Sequence, residues 1–254
     1  MKIVACVKWV GALGDDIEFD AEGNVDPDYL DYALNEWDSA AVAEALLLRD
    51  VAGDGEMVVV TVGDEESEEA LVQCLAMGAD RAIRIDPGGS QPHDPITVAR
   101  LLAFVVQQEQ PDLVLCGAQS SDAAQGSTGS ALAGLLGLPC AAVVMGVDYD
   151  ASGGSAVVRR ELEGGIVDVV ELETPAVLTI QTGITELRYV TMRAIQQARE
   201  SKIHVLDADD VPQAEPGYRI RRMFVPPRAS AELIAGGAPA VAETITRLIQ
   251  EARA

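Results

Sequence analysis

Apolar residues first recur along this chain in short runs. KIVACVK (2–8), MVVVTVG (57–63), RAIRID (81–86) and DLVLCG (112–117) are β-branched and end at Gly, Asp or a turn. That composition predicts parallel strands covered on both faces. Between the runs the period changes to that of a helix. SAAVAEALLLRD (39–50) follows an N-cap candidate, Asp38 or Ser39. SEEALVQCLAMG (67–78) opens at Ser67 with acids in its first turn, carries Leu71, Cys74 and Leu75 on one face, and closes at Gly78. DPITVARLLAFVVQQEQP (94–111) has Asp94 as cap, Pro95 at the first helical position and Pro111 as a stop. STGSALAGLLGLP (127–139) predicts a helix of small residues ending before Pro139.

Strand and helix thus alternate to about residue 140, the pattern of an α/β fold: a parallel sheet flanked by helices, a Rossmann-like three-layer sandwich. The style then changes. CAAVVMGVDYD (140–150), AVVRRELEGG (156–165) and IVDVVELE (166–173) predict an antiparallel hairpin or meander, and PAVLTIQTG (175–183) a returning core strand. Residues 184–205 read as an exposed loop with a short polar helix. Residues 207–228 are rich in Asp, Pro and Arg, like a linker or extended arm. The last segment, 239–254, is an amphipathic helix with Val241, Ile245, Leu248 and Ile249 on one side. The expected division is an α/β domain over 1–206 and a C-terminal arm and helix over 207–254.

With 254 residues the core needs no disulfide or metal support, and 48% hydrophobic against 23% charged residues excludes a disordered or collagen-like chain. Aromatics are only 4%, so the core is aliphatic. The net charge of −23 argues against nucleic acid or an anionic membrane as partner. Its distribution adds a polarity. Residues 1–75 hold nineteen acids and three bases, whereas 186–228 hold six acids and eight bases. The acidic half serves solubility or orients a protein partner. Cys6, Cys74, Cys116 and Cys140 have no metal-type spacing and sit among apolar residues, so they read as buried thiols of a reducing cytoplasm. A lysine interrupts the apolar N-terminus, and no apolar stretch is long enough for direct membrane insertion. A cytoplasmic location is expected.

Ligands of a parallel sheet bind beyond the carboxyl ends of its strands. The richest loop there is CGAQSSDAAQGSTGS (116–130), with a helix start immediately behind it. Free backbone N–H groups at that start, with the hydroxyls, make an anion site suited to phosphate; a merely polar loop with a capped helix is the alternative. There is no Walker A lysine, no GxGxxG after the first strand and no GxSxG. His93 and His204 lie in loop-like or terminal-strand contexts, and no catalytic or metal cluster is visible. A binding or carrier role is favoured over catalysis.

DYALNEWDSAAVAEALLLRD, TVGDEESEEALVQCLAMGADRAIRID, LVLCGAQSSDAAQGSTGSALAGLLGLP and TELRYVTMRAIQQARESKI resemble, in order and spacing, the β subunit of electron transfer flavoproteins. The resemblance covers roughly residues 1–206. It implies a heterodimer whose α subunit carries the redox-active FAD while the β subunit binds AMP as a structural nucleotide. Such a pair shuttles electrons from flavin-dependent dehydrogenases to a quinone reductase or another acceptor. An electron-bifurcating form would instead hold a second FAD in the β site and oxidise NADH there, with room needed near Gly11 to Asp16. A stand-alone ATP-binding stress-type module is the alternative of another class.

Carried onto this sequence, the resemblance implies nucleotide contacts at Cys6, at Asn35, Glu36, Trp37 and Asp38, at Val62, and at Gly117, Ala118, Gln119, Ser121, Asp122, Gln125, Gly126, Ser127 and Thr128. The family loop usually has an Asp and a Gln where this chain has Ala124 and Ser127. Three partner-facing places are also implied. Glu161 matches a glutamate that helps hold the mobile flavin domain; an exposed hairpin carboxylate is the alternative. Glu186 and Arg188 match Asn-Glu-Pro-Arg, here with Leu187 for Pro. Met192 stands where the family has an anchor leucine that enters a dehydrogenase pocket, or else is a buried helix residue. Arg193, Arg199 and Lys202 would form its electrostatic rim, and the tail would wrap onto the α subunit or fold back on its own domain.

Overall fold

The structure is a computed structural model that describes residues 1–13, 18–20, 23, 25–26, 30–88, 94–207, 209–211, 217–218, 220–222, 224 and 233–252. Its strands are β1 (Lys2–Cys6), β2 (Trp9–Leu13), β3 (Leu30–Leu34), β4 (Glu56–Val62), β5 (Arg81–Ile85), β6 (Leu113–Gly117), β7 (Cys140–Asp150), β8 (Ser155–Leu162), β9 (Ile166–Glu173), β10 (Ala176–Ile180) and β11 (Ile203–Leu206). The helices are α1 (Glu36–Ala52), α2 (Glu68–Met77), α3 (Pro95–Glu109), α4 (Thr128–Leu136), α5 (Met192–Ala198) and α6 (Ala238–Ala252).

Among the described residues, nine strands form one sheet in the order β11-β5-β4-β1-β6-β10-β7-β8-β9, and β2 pairs with β3 apart from it. Every pairing from β11 to β7 is parallel; β7-β8 and β8-β9 are antiparallel. The fold is α/β, as the alternation predicts. Alternate strand residues feed two separate cores, because successive side chains leave a strand on opposite faces. Ile3 and Ala5 join Leu46 of α1 and Leu71 of α2 on one face. Val4 and Cys6 join Leu102 of α3 and Leu132 of α4 on the other. A strand with both faces buried reads as a continuous apolar run, which is why KIVAC and MVVVTV show no alternation.

Helix ends follow local chemistry. Asp94 caps α3, its carboxylate accepting from the N–H groups of Ile96 and Thr97, with Pro95 in the first turn. Helix α1 starts earlier than expected: Asn35, not Asp38 or Ser39, is its N-cap residue, and its side chain is engaged elsewhere. At Gly129 an added Cβ would lie 2.5 Å from Thr179 Cγ2, so the absent side chain lets α4 approach β10.

Three elements depart from the hydrophobic pattern. The β2-β3 pair is short: β2 continues the apolar N-terminal run as WVGAL, whereas β3 is exposed at Asp31 and Tyr32 and carries no apolar run. β11, expected within a loop and helix, adds itself in parallel to β5 as an edge strand. β7 is parallel to β10 at its start and antiparallel to β8 along its length, so it joins the two halves of the sheet rather than belonging to a hairpin alone. Cys6, Cys74 and Cys116 are buried, but Cys140 is exposed, against expectation: it is the first residue of β7, and the inward-facing position falls to its neighbour Ala141.

Contacts divide the chain into Met1–Arg222 and Met223–Ala254. In the second unit α6 has no buried residue, and Ile245, Leu248 and Ile249 are half-exposed on its apolar side. Among the described residues no helix is long and apolar enough to cross a membrane.

Candidate functional site

β4 and β5 extend the sheet on one side of β1 and β6 starts the other, so the switch point lies between β1 and β6. A cleft opens beyond the carboxyl ends of these two strands, where such sheets bind ligands. Counting its open mouth, it has about 900 Å³ of empty volume. Cys6, Asn35, Asp38, Val62, Gly117, Ala118, Gln119, Gln125, Gly126, Ser127 and Thr128 all line it. Four sequence candidates do not. Glu36 is exposed, and Trp37 Nε1 donates to Gln181 Oε1 at 3.1 Å. Ser121 and Asp122 are exposed on the loop, off the cleft lining. Glu36 and Trp37 belong to the first turn of α1, whose next residue turns inward as Asp38.

Two buried side chains hold the cleft in shape. Asp38 Oδ1 accepts from Gly117 N and Oδ2 from Lys8 N, both at 2.9 Å, so one carboxylate ties the ends of β6 and β1. Burial pushes its pKa up to about 7, against the Asn35 and backbone hydrogen bonds that favour the charged form. Asn35 donates from Nδ2 to Gln119 O at 2.8 Å and accepts at Oδ1 from Ser121 N, which pins the Ser/Gly loop to α1. Gly117 must be glycine here: a Cβ would lie 2.3 Å from Asp38 Oδ1 and 2.9 Å from Asp38 N. At the rim, desolvation acts to raise the Asp122 carboxyl, but its ion pair with Lys8 Nζ outweighs that and holds it below the usual range.

Helix α4 begins at Thr128 on the cleft wall, and Ser127, its N-cap residue, makes no side-chain cap hydrogen bond. The first amides of a helix have no intrahelical acceptor, so Thr128 and its successors offer donors to an anion, with the Ser127 and Thr128 hydroxyls beside them. Apolar Val62 and Val98 provide a surface for a flat heterocycle. This donor set and surface suit a nucleoside monophosphate. Lys8, Pro95, Val98, Leu102, Ser120 and Ala123 also line the walls and were not among the sequence candidates. Pro95, Val98 and Leu102 recur at helical spacing on α3, a signal that marks a face without saying what it faces.

The partner-facing candidates lie elsewhere. Met192 is the first residue of α5 and 73% exposed, which excludes a buried helix residue. Leu187 and Tyr189 are exposed close to it in sequence. Glu186 and Arg193 are exposed, and Arg188 pairs at the surface with Asp50 of α1. Arg199 pairs with both oxygens of Glu69 at 2.6 and 2.7 Å. Glu161 is exposed on β8, opposite Val167 of β9. Of the stretch that a second flavin would need, Gly11 lies in β2, whereas Gly14, Asp15 and Asp16 lie outside the described residues, as does His93. Among the described residues no group of three or more His, Cys, Asp or Glu side chains is gathered to hold a metal.

The electron transfer flavoprotein domain matches residues 23–211. The chain is 42% identical, over 99% of its length and 98% of the relative's, to electron transfer flavoprotein subunit beta of Methylophilus methylotrophus. It is 34% identical to the mitochondrial subunit beta of Oryza sativa subsp. indica, over 100% of this chain and 99% of that one. The subunit beta of Bacillus subtilis (strain 168) is 30% identical over 91% of each chain. With this sheet, this cleft and these relatives, the chain belongs to the electron transfer flavoprotein family, as a β subunit.

Proposed function

We propose that this β subunit binds AMP in the cleft between β1 and β6, supports the FAD domain of an α partner, and docks flavin-dependent dehydrogenases through residues 184–202. The observation that carries the nucleotide reading is the start of α4, uncapped by its own Ser127 and set on the cleft wall beside the Asp38 clamp. The phosphate would lie on the α4 amides and the Ser127 and Thr128 hydroxyls; the adenine would pack near Val62 and Val98. Asn35 and Asp38 act on the ligand through the backbone they hold, because their polar atoms are already engaged. The FAD of the partner supplies the redox chemistry, and this chain supplies binding and orientation.

For docking, the exposed Leu187, Tyr189 and Met192, close together in sequence, would give an apolar contact to the partner. Glu161 is the contact to the flavin domain. The arm over 207–254, ending in α6 with its half-exposed apolar side, would wrap onto the α partner beyond its contacts with the α/β domain at Gly217 and Tyr218. A cytoplasmic location and delivery of electrons to a quinone reductase or another acceptor complete the reading.

Liquid chromatography and mass spectrometry of ligand extracted from the purified heterodimer test it. One AMP and one FAD per heterodimer are expected; two FAD and no AMP would replace this reading with the electron-bifurcating one.

A further inference from the structure

One short segment beyond the last strand of the sheet returns to the cleft. Gly217 N donates to Asp94 Oδ2 at 2.9 Å. The same carboxylate caps α3 and accepts from Thr97 Oγ1 at 2.8 Å. Asp94 is buried, and the Gly217 hydrogen bond is the leading cause that holds its carboxyl below the usual range. The next residue, Pro95, is on the cleft wall, as is Val98 one turn further on. Immediately after Gly217, the Tyr218 hydroxyl accepts from Gln125 Nε2. Gln125 lies on the cleft lining too, in the Ser/Gly loop that leads to α4. Two consecutive residues are therefore fastened to two parts of the cleft wall that are distant in sequence.

We propose that Gly217 and Tyr218 form a strap that joins the α3 wall to the Ser/Gly-loop wall and slows release of the nucleotide. The inference rests on the reading of the cleft as an AMP site. Opening the cleft for release requires the loop bearing Gln125 to part from the start of α3, and the strap resists that separation at the rim. Tyr218 is a positioning residue: it acts through Gln125. With the association rate unchanged, slower release is tighter binding, and linkage makes that reciprocal: whatever the strap adds to nucleotide affinity, bound nucleotide adds to the stability of the strap.

The test uses the full-length chain purified with its partner subunit and loaded with radiolabelled AMP, chased with excess unlabelled AMP. Tyr218→Phe keeps the ring and removes the acceptor; Tyr218→Ala removes both. Release is expected to quicken about five-fold in Tyr218→Phe, the scale of one net hydrogen bond, and at least as much in Tyr218→Ala. Hydrogen exchange of the 217–222 amides in the wild type is expected to slow when AMP is bound. Wild-type release rates in both variants would overturn the strap and leave the nucleotide site standing. So would faster release with exchange over 217–222 indifferent to AMP, because reciprocity fails. A wild-type chain that takes up no AMP would remove the nucleotide reading itself, and the strap with it.

Discussion

The two candidate sites are built on opposite principles. In the cleft, polar side chains are buried and committed: Asp38 and Asn35 bind the backbone of Lys8, Gly117, Gln119 and Ser121. Among the described residues, no buried side-chain polar atom lacks a partner. In the 187–199 segment apolar side chains are exposed, and the fastenings, Arg188 to Asp50 and Arg199 to Glu69, are surface ion pairs. Buried hydrogen-bonded groups are costly to disturb, because a lost partner leaves a desolvated group behind. Exposed ion pairs contribute little and are screened by salt. A cleft made the first way is preorganised for one small ligand. A surface made the second way can adapt to a large partner.

The contrast breaks most readily at Gly117. Gly117→Ala would force its Cβ into Asp38 and the start of α1, so destabilisation of about 3 kcal/mol or more is expected, with loss of bound nucleotide. Denaturant unfolding and ligand extraction would check both; near-wild-type stability would mean that the clamp is loose.

Asp38→Asn comes next and has a pH signature. The folded pKa is raised to about 7 from 3.8, so between these values the unfolded chain has released a proton that the fold retains. Asp38 therefore makes stability fall as pH rises from about 4 to 7, and adds no further slope above. The lowered carboxyls of Asp94, Glu109 and Asp122 act in the opposite sense, with stability lost as pH falls through their folded pKa values. Asn can accept only through its one oxygen, so Asp38→Asn should cost about 1–3 kcal/mol at a pH of about 5 and less at about 8. Unfolding followed across pH checks this; a cost that grows with pH would contradict the assignment of burial as the dominant cause.

Met192→Ala probes the adaptable surface. Electron transfer from the dehydrogenase should need about five to ten times more of this protein for half-saturation, as for a central interface residue, while nucleotide and flavin contents stay unchanged. Steady-state titration of the dehydrogenase with the heterodimer gives the value, and an unaltered half-saturation would reject the anchor role. The smallest effect belongs to Glu69→Gln, which leaves Arg199 without its surface partner: at most about 1 kcal/mol, or less than about five-fold in half-saturation. It should shrink further when the same titration is repeated at high salt.

Much of this was legible along the chain, for reasons that differ between regions. β1, β4 and β6 announce themselves because a strand buried on both faces needs a nearly continuous apolar run, and β5 does so less cleanly, with the buried Arg84 inside it. The start of α3 is equally local, since Asp94 and Pro95 act within one turn. β11 and the β2-β3 pair are stabilised by the strands they meet, so their own residues carry little signal. Within the cleft, the Ser/Gly loop is visible by composition and position. The residues that shape it are harder to assign: Asn35 and Asp38 look alike as helix-start polar residues, and Glu36 and Trp37 beside them turn away from the cleft.

Residue type and near-neighbour spacing are enough to specify an aliphatic α/β sheet, an anion-suited loop after its fourth apolar run, and the polarity between an acidic first part and a locally basic later one. They do not specify that one carboxylate joins β1 to β6, that Arg188 and Arg199 turn back to α1 and α2, or that Tyr218 meets Gln125. Each of these contacts joins residues far apart in the chain, where direction and distance come from the packing of the whole sheet rather than from any local pattern.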